Sequence, residues 1–161
     1  MLSFFKKKAA PAKELKAFLT GQVVPIEDVN DGVFSAKIMG DGLAIIPEDE
    51  VLLAPADGEI TVVMEGSFHA VGMKLEDGLE ILLHIGIDTV SMNGECFKPF
   101  VTVGDKVKAG DQLIRFSKAA IAARGLRDIT MLIVTNGDEF PSVKLISGMN
   151  AKAGETVIAQ M

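Results

Sequence analysis

From Gly21 onward, short apolar, β-branched runs alternate with clusters of Gly, Asp, Asn and Pro: QVVPIEDV, GVFSAKIMGDGLAIIP, VLLAPADGEITVVMEGSFHAVGMKL and GLEILLHIGI. Runs of about 4–8 residues with turn signals roughly every 8–12 residues point to an all-β architecture. The expected fold is a flattened antiparallel β-sandwich or barrel with short helical turns.

Helical signal is scarce. The clearest window is Lys118 to Arg124 (KAAIAAR), with Ser117 as its N-cap and Gly125 as its stop. A shorter turn is expected around Asp88 to Met92. VGDKVKAGDQLI, from Val103 to Ile114, reads as a hammerhead-like hairpin in which Gly104 and Gly110 take backbone conformations that side chains hinder. APADGEI, from Ala54 to Ile60, is a weaker echo of it. Residues 1–20 read as a tail with a helical turn over Ala12 to Leu19 beginning after Pro11, and residues 21–161 as one domain. The tail's Phe4, Phe5 and Lys6 to Lys8 suit a solvated leader, or a weak touch on a membrane surface.

Composition narrows the function. A chain of 161 residues is one domain's worth, and 48% hydrophobic residues suffice for a packed core. The longest uncharged run, Ala17 to Ile26, is ten residues, short of the roughly 18 a membrane span needs. The opening MLSFFKKK has neither part of a secretory signal, and one Cys, Cys96, makes neither an intrachain disulfide nor a multi-thiolate zinc site. A cytoplasmic monomer is expected. The formal charge of −6 divides into a basic segment over residues 1–16 (+4) and a body of −10. Such a body repels nucleic acid and attracts basic protein surfaces.

The chain has two histidines. Along LEILLHI, strand alternation sends Leu79, Ile81, Leu83 and Ile85 to one face and Glu80, Leu82 and His84 to the other. Gly86, Asp88 and Thr89 follow and bring backbone and hydroxyl groups near the imidazole. An imidazole neutral at one nitrogen is a competent nucleophile near neutral pH. No G-x-x-x-x-G-K-[ST] loop is present for a nucleotide.

Gly78 to Val90 fits the pattern G-x-x-(three apolar)-H-apolar-G-apolar-x-T-[AV]. It resembles the phosphorylation-site signature of the glucose-family enzyme IIA proteins of the bacterial phosphoenolpyruvate:sugar phosphotransferase system. VFSAKIMGDGLAI, LAPADGEI, SFHA and HIGIDTVSMNGECFKPFVTVGDKVKAGDQL extend the likeness over nearly the whole chain.

The resemblance implies the barrel-sandwich hybrid fold and a phosphocarrier. His84 would accept phosphate on Nε2 from the histidine phosphocarrier protein, HPr, and pass it to the IIB domain of a sugar permease. His69 would hydrogen-bond the phosphoryl group, and Ser67, where Thr is usual, would orient His69. Val33, Phe34, Met39 and Ile85 would form the apolar docking ring, with Asp31 and Asp88 its acidic part. No cofactor is required; His69 and His84 would hold Zn²⁺ only weakly, with a carboxylate lent by a partner. Further regulatory partners are compatible with this, and membrane contact would come only through the permease. Ile85 for a common Phe, Cys96 for a frequent Gly, and a Glu65 to Phe68 loop one residue longer than in some members depart from the pattern.

Three rivals stand beside this reading. A biotinyl or lipoyl carrier shares the hairpin, but its lysine follows the G-D-x-V segment, whereas Lys74 precedes it. A lysostaphin-type zinc endopeptidase matches the H-x-x-x-D of His84 and Asp88 but needs a further H-x-H. A regulatory or structural binding module with inert histidines is the third.

Overall fold

The computed structural model describes residues 13–161. The first half contains β1 (Glu14–Lys16), β2 (Gly21–Pro25), β3 (Asp41–Pro47), β4 (Val51–Leu53), β5 (Gly58–Val63), β6 (Ala70–Leu75) and β7 (Glu80–Ile85). The second contains β8 (Phe97–Pro99), β9 (Lys106–Val107), β10 (Gln112–Phe116), the helix α1 (Lys118–Ala123), β11 (Thr130–Val134), β12 (Lys144–Leu145), β13 (Asn150–Ala151) and β14 (Val157–Gln160). An eight-stranded sheet runs β9-β5-β6-β7-β11-β3-β2-β13, and two three-stranded sheets run β4-β10-β8 and β12-β14-β1. All pairings are antiparallel. The large sheet keeps two edges, β9 and β13, so the fold is a sandwich of open sheets rather than a closed barrel.

Alternation along the strands divides the apolar residues into two sets. Ile81, Leu83 and Ile85 of β7, Val71 and Met73 of β6, and Ile114 and Phe116 of β10 meet in the main core. On the other side of β7 and β11, a second cluster gathers Ile26, Val29, Phe34, Ala44, Met131 and Ile133, with Leu82 and Ile87 packed on it. The cross-strand row Val24, Ala44, Met131, His84, Ala70 lies on this second side and carries His84 away from the main core.

The expected helical window forms: the Ser117 hydroxyl accepts the Ala120 N–H at 3.1 Å, and Gly125 follows at φ +71°. A 3-10 turn spans Thr89–Met92. The segment from Val103 to Ile114 is corrected from a hairpin: β9 pairs with β5, placing Lys106 opposite Glu59, whereas β10 pairs with β4 and β8 in another sheet, and the turns between them are closed by Asp105, which accepts from the Thr102 N–H, and Asp111, which accepts from the Lys108 N–H. Lys74 is an exposed residue within β6 rather than at a turn, unlike a carrier lysine.

The tail expected over residues 1–20 is corrected where it can be seen. Residues 1–12, including Phe4, Phe5 and Lys6 to Lys8, lie outside the described residues. In place of a helical turn, Glu14–Lys16 is a strand paired with β14, and Leu15, Ala17, Phe18 and Leu19 are fully buried. Lys16 N–H donates to Pro55 O, Ala17 N–H to Thr156 O, and Leu53 N–H to Phe18 O. Local propensity over KELKAFL favours helix, but the partner strand and the burial of four consecutive-turn apolar side chains outweigh it.

Phe18→Ala should therefore cost about 3–5 kcal/mol of stability, as for other buried aromatic truncations. Chemical denaturation checks this, and an unchanged midpoint would restore the tail reading.

Candidate functional site

His84 is the penultimate residue of β7, on the second face, and two features hold its ring. Its Nδ1 lies 2.9 Å from the Gly86 carbonyl oxygen, which only accepts, so Nδ1 carries the proton and Nε2 keeps its lone pair. Phe34 lies against the other side of the ring, with centroids 4.7 Å apart and planes tilted by 55°.

The Gly86 carbonyl is aimed by its own backbone. Gly86 sits at φ +75°, and a Cβ there would meet Thr89 Cγ2 at 2.4 Å and the Arg127 carbonyl oxygen at 2.8 Å. Its N–H donates to Ile129 O, and the Ile87 N–H donates to Arg127 O, so the loop is stitched to the approach of β11. The buried Thr89 hydroxyl donates to the Ile85 carbonyl. Arg127 also reaches Val29 O at 2.6 Å and anchors the segment leading to Phe34.

His69 stands immediately before the start of β6 and just after Phe68, whose φ of +52° closes the preceding loop. The Ile85 N–H donates to the His69 carbonyl, drawing that start against the end of β7. The imidazoles meet edge to face, centroids 4.6 Å apart at 85°. Ser67 Oγ lies 2.8 Å from His69 Nδ1; a hydroxyl serves there as donor or acceptor. His69 and Ser67 are buried, and His84 is half-buried.

Removal from water disfavours the charged imidazole. Burial, with a smaller contribution from the neighbouring His69, pushes His84 down to about 4, against the opposing pull of the Gly86 carbonyl and Asp31. Burial also holds His69 below the ordinary histidine range. Both rings are thus neutral at neutral pH.

The other candidates separate. Val33 and Met39 are exposed on the 31–40 loop, and Phe34 is tucked beneath them against His84. Ile85 is corrected: it is 0% exposed in the main core, because alternation turns it away from its neighbour His84. Ile38, at 72% exposure, and Val90, at 54%, are apolar residues on the flanking turns that the sequence reading left out. Asp88 occupies a left-handed position at φ 62° before the 3-10 turn, without a side-chain capping bond. The Asp31 carboxylate accepts from the N–H groups of Val33, Phe34 and Ser35. Burial raises its pKa, but these donations together hold it below the usual carboxylate range.

Among the described residues no group of three or more His, Cys, Asp and Glu is placed to hold a metal. With both Nδ1 atoms engaged, the pair offers two Nε2 ligands, half a tetrahedral zinc set. Four grooves on the described surface, of about 310 to 760 Å³, are lined by residues other than His69 and His84. No described helix is long and apolar enough to cross a membrane.

Two imidazoles meet edge to face on one side of an antiparallel sandwich, the half-buried one with its Nδ1 held by a backbone carbonyl. The sequence model for the phosphoenolpyruvate-dependent sugar phosphotransferase system, EIIA 1, matches residues 13–140, and the chain belongs to this family. The PTS system glucose-specific EIIA component of Bacillus anthracis is 43% identical over 143 residues, covering 89% of this chain and 86% of that protein. That of Oceanobacillus iheyensis is 40% identical, covering 99% and 97%. The solved glucose permease IIA from Mycoplasma capricolum superposes with a TM-score of 0.85 at 30% identity, covering 96% of this chain and 98% of that one.

Two measurements test the geometry. In a ring-proton NMR titration His84 should have a midpoint near 4, with His69 also below the ordinary histidine range. Both depressed values make the folded chain lose stability as pH falls from about 6.5 toward 4, where the unfolded imidazoles bind protons first. Gly86→Ala should cost roughly 1–3 kcal/mol by forcing a side chain into the left-handed region and should shift the His84 ring resonances. Unaltered resonances would show that the carbonyl is not the orienting group.

Proposed function

We propose that this chain is the phosphocarrier of a glucose-type sugar phosphotransferase system, taking phosphate from HPr and passing it to the IIB domain of a permease. The observation that carries the reading is the Nδ1 contact of His84 with the Gly86 carbonyl, which leaves a bare Nε2 beside His69.

In the forward step the His84 Nε2 lone pair attacks the phosphorus of the HPr phosphohistidine. The new N–P bond forms as the donor's N–P bond breaks, and its electron pair returns to the donor imidazole. His69, with Ser67 donating its hydroxyl proton to Nδ1, carries a proton on Nε2 and gives a hydrogen bond to a phosphoryl oxygen. In the discharge step a thiolate of the IIB domain attacks phosphorus, and the N–P electrons return to His84 Nε2. Catalysis is positioning and charge stabilisation.

The surroundings suit a protein donor better than a small one. Val33, Ile38 and Met39 are exposed on the loop that carries Phe34, Val90 is exposed on the turn after His84, and Asp88 and the body charge of −10 favour a basic partner. Phe34 excludes water from one side of His84. Any zinc at His69 and His84 would await a partner's carboxylate, and the isolated chain would bind it weakly.

With phosphoenolpyruvate, enzyme I and HPr, the chain should gain one acid-labile, alkali-stable phosphate, and His84→Ala should gain none. Uptake by His84→Ala would sink the assignment. His69→Gln should accept phosphate but discharge it to a IIB domain at least about tenfold more slowly, within the range of a lost positioned donor. Normal onward transfer would remove His69 from the mechanism.

A further inference from the structure

We propose that Asp31 acts on His84 as a positioning residue: its carboxylate folds the turn that seats Phe34 against the imidazole. This goes beyond the role of a steering charge and rests on the phosphocarrier reading for its kinetic consequence.

The segment between the 3-10 turn Ile26–Val29 and β3 contains no strand, yet it supplies Phe34 to the His84 ring. Three backbone N–H groups converge on Asp31: Val33 on Oδ1 at 3.3 Å, Phe34 on Oδ2 at 3.1 Å, and Ser35 on Oδ1 at 2.9 Å. The Ser35 hydroxyl in turn accepts the Gly32 N–H at 3.1 Å. A short carboxylate that gathers successive N–H groups is how Asp and Asn organise a turn without a helix or ladder.

Phe34 packs in the second apolar cluster, and the remaining polar contacts hold the ends of the segment rather than its middle. Arg127 Nη1 fixes Val29 O before Asp31. Past the turn, Lys37 donates its N–H to Phe34 O and lies 3.4 Å from Glu27 and 3.5 Å from Asp41, an exposed network worth little by itself. Asp31 alone among these groups binds the Phe34 N–H directly. The exposed residues Val33 and Met39 ride on the same loop, so the turn also sets the shape presented to a partner.

The two roles of Asp31 predict opposite rankings of variants. Asn keeps the short acceptor and loses the charge; Glu keeps the charge and misplaces the acceptor; Ala loses both. Using the full chain, two readouts are compared across Asp31→Asn, Asp31→Glu and Asp31→Ala. The first is the ring-current shift of the His84 carbon-bound protons, with Phe34→Ala as the reference for its absence. The second is the rate of phosphate uptake from phospho-HPr.

Positioning predicts that Asp31→Asn keeps most of the ring-current shift, while Asp31→Ala and Asp31→Glu approach the Phe34→Ala spectrum. Their uptake rates should fall below that of Asp31→Asn, by about tenfold where the ring is displaced. The proposal is overturned if Asp31→Glu keeps the shift and rate while Asp31→Asn falls with Asp31→Ala, or if all three keep the wild-type shift. Dispersed amide spectra establish that each variant is folded; should Asp31→Ala not fold, Asp31→Ser, a weaker cap, replaces it with the same expectation. The NMR comparison is independent of phosphate. A wild-type chain that takes none at His84 defeats the phosphocarrier reading and leaves the test of the turn intact.

Discussion

One hydrogen bond organises this site: the Nδ1–H of His84 to the carbonyl of Gly86. A carbonyl offers no proton, so the bond decides the tautomer and leaves the lone pair on Nε2. Everything nearby serves its direction. The left-handed backbone of Gly86 turns the carbonyl back toward the ring, the Thr89 hydroxyl ties the loop to Ile85, and the backbone of Arg127 and Ile129 takes the N–H groups of the loop. A side chain at position 86 would collide with two of these partners at once.

Burial supplies the other half of the chemistry. A protonated imidazole is a poor nucleophile, and a fully solvated one is protonated over part of the physiological range. Placing His84 on the second apolar cluster, against Phe34 and His69, keeps it neutral. The main core cannot supply this environment and remain open to a partner. The sandwich resolves the conflict by giving its large sheet an apolar patch on each side, one sealed between sheets and one partly covered by the 26–40 segment.

Much of this was legible along the chain. The period-2 pattern of LEILLHI separated His84 from Leu83 and Ile85, and each of those residues lies on the expected face. Ser117 and Gly125 marked a helix because caps act through neighbouring backbone groups. The same alternation, applied consistently, excludes Ile85 from the docking ring; likeness to a family position overrode it in the sequence reading. Residues 14–19 misled for a different reason: the strand exists through β14, more than a hundred residues away in sequence, while the local composition favours helix.

By itself, then, the sequence determined the all-β class, the side of the strand on which His84 stands, the turns that follow it and, through the signature around it, the family. These are properties of neighbours a few residues apart, governed by alternation, caps and glycine. The tertiary structure alone decided that His69 meets His84 edge to face, that Phe34 covers the ring, that Arg127 secures the loop leading to it, and that Leu15 to Leu19 belong to the core. Each joins segments whose separation in sequence carries no local signal, and each is fixed only when the sheets close over a shared apolar interior.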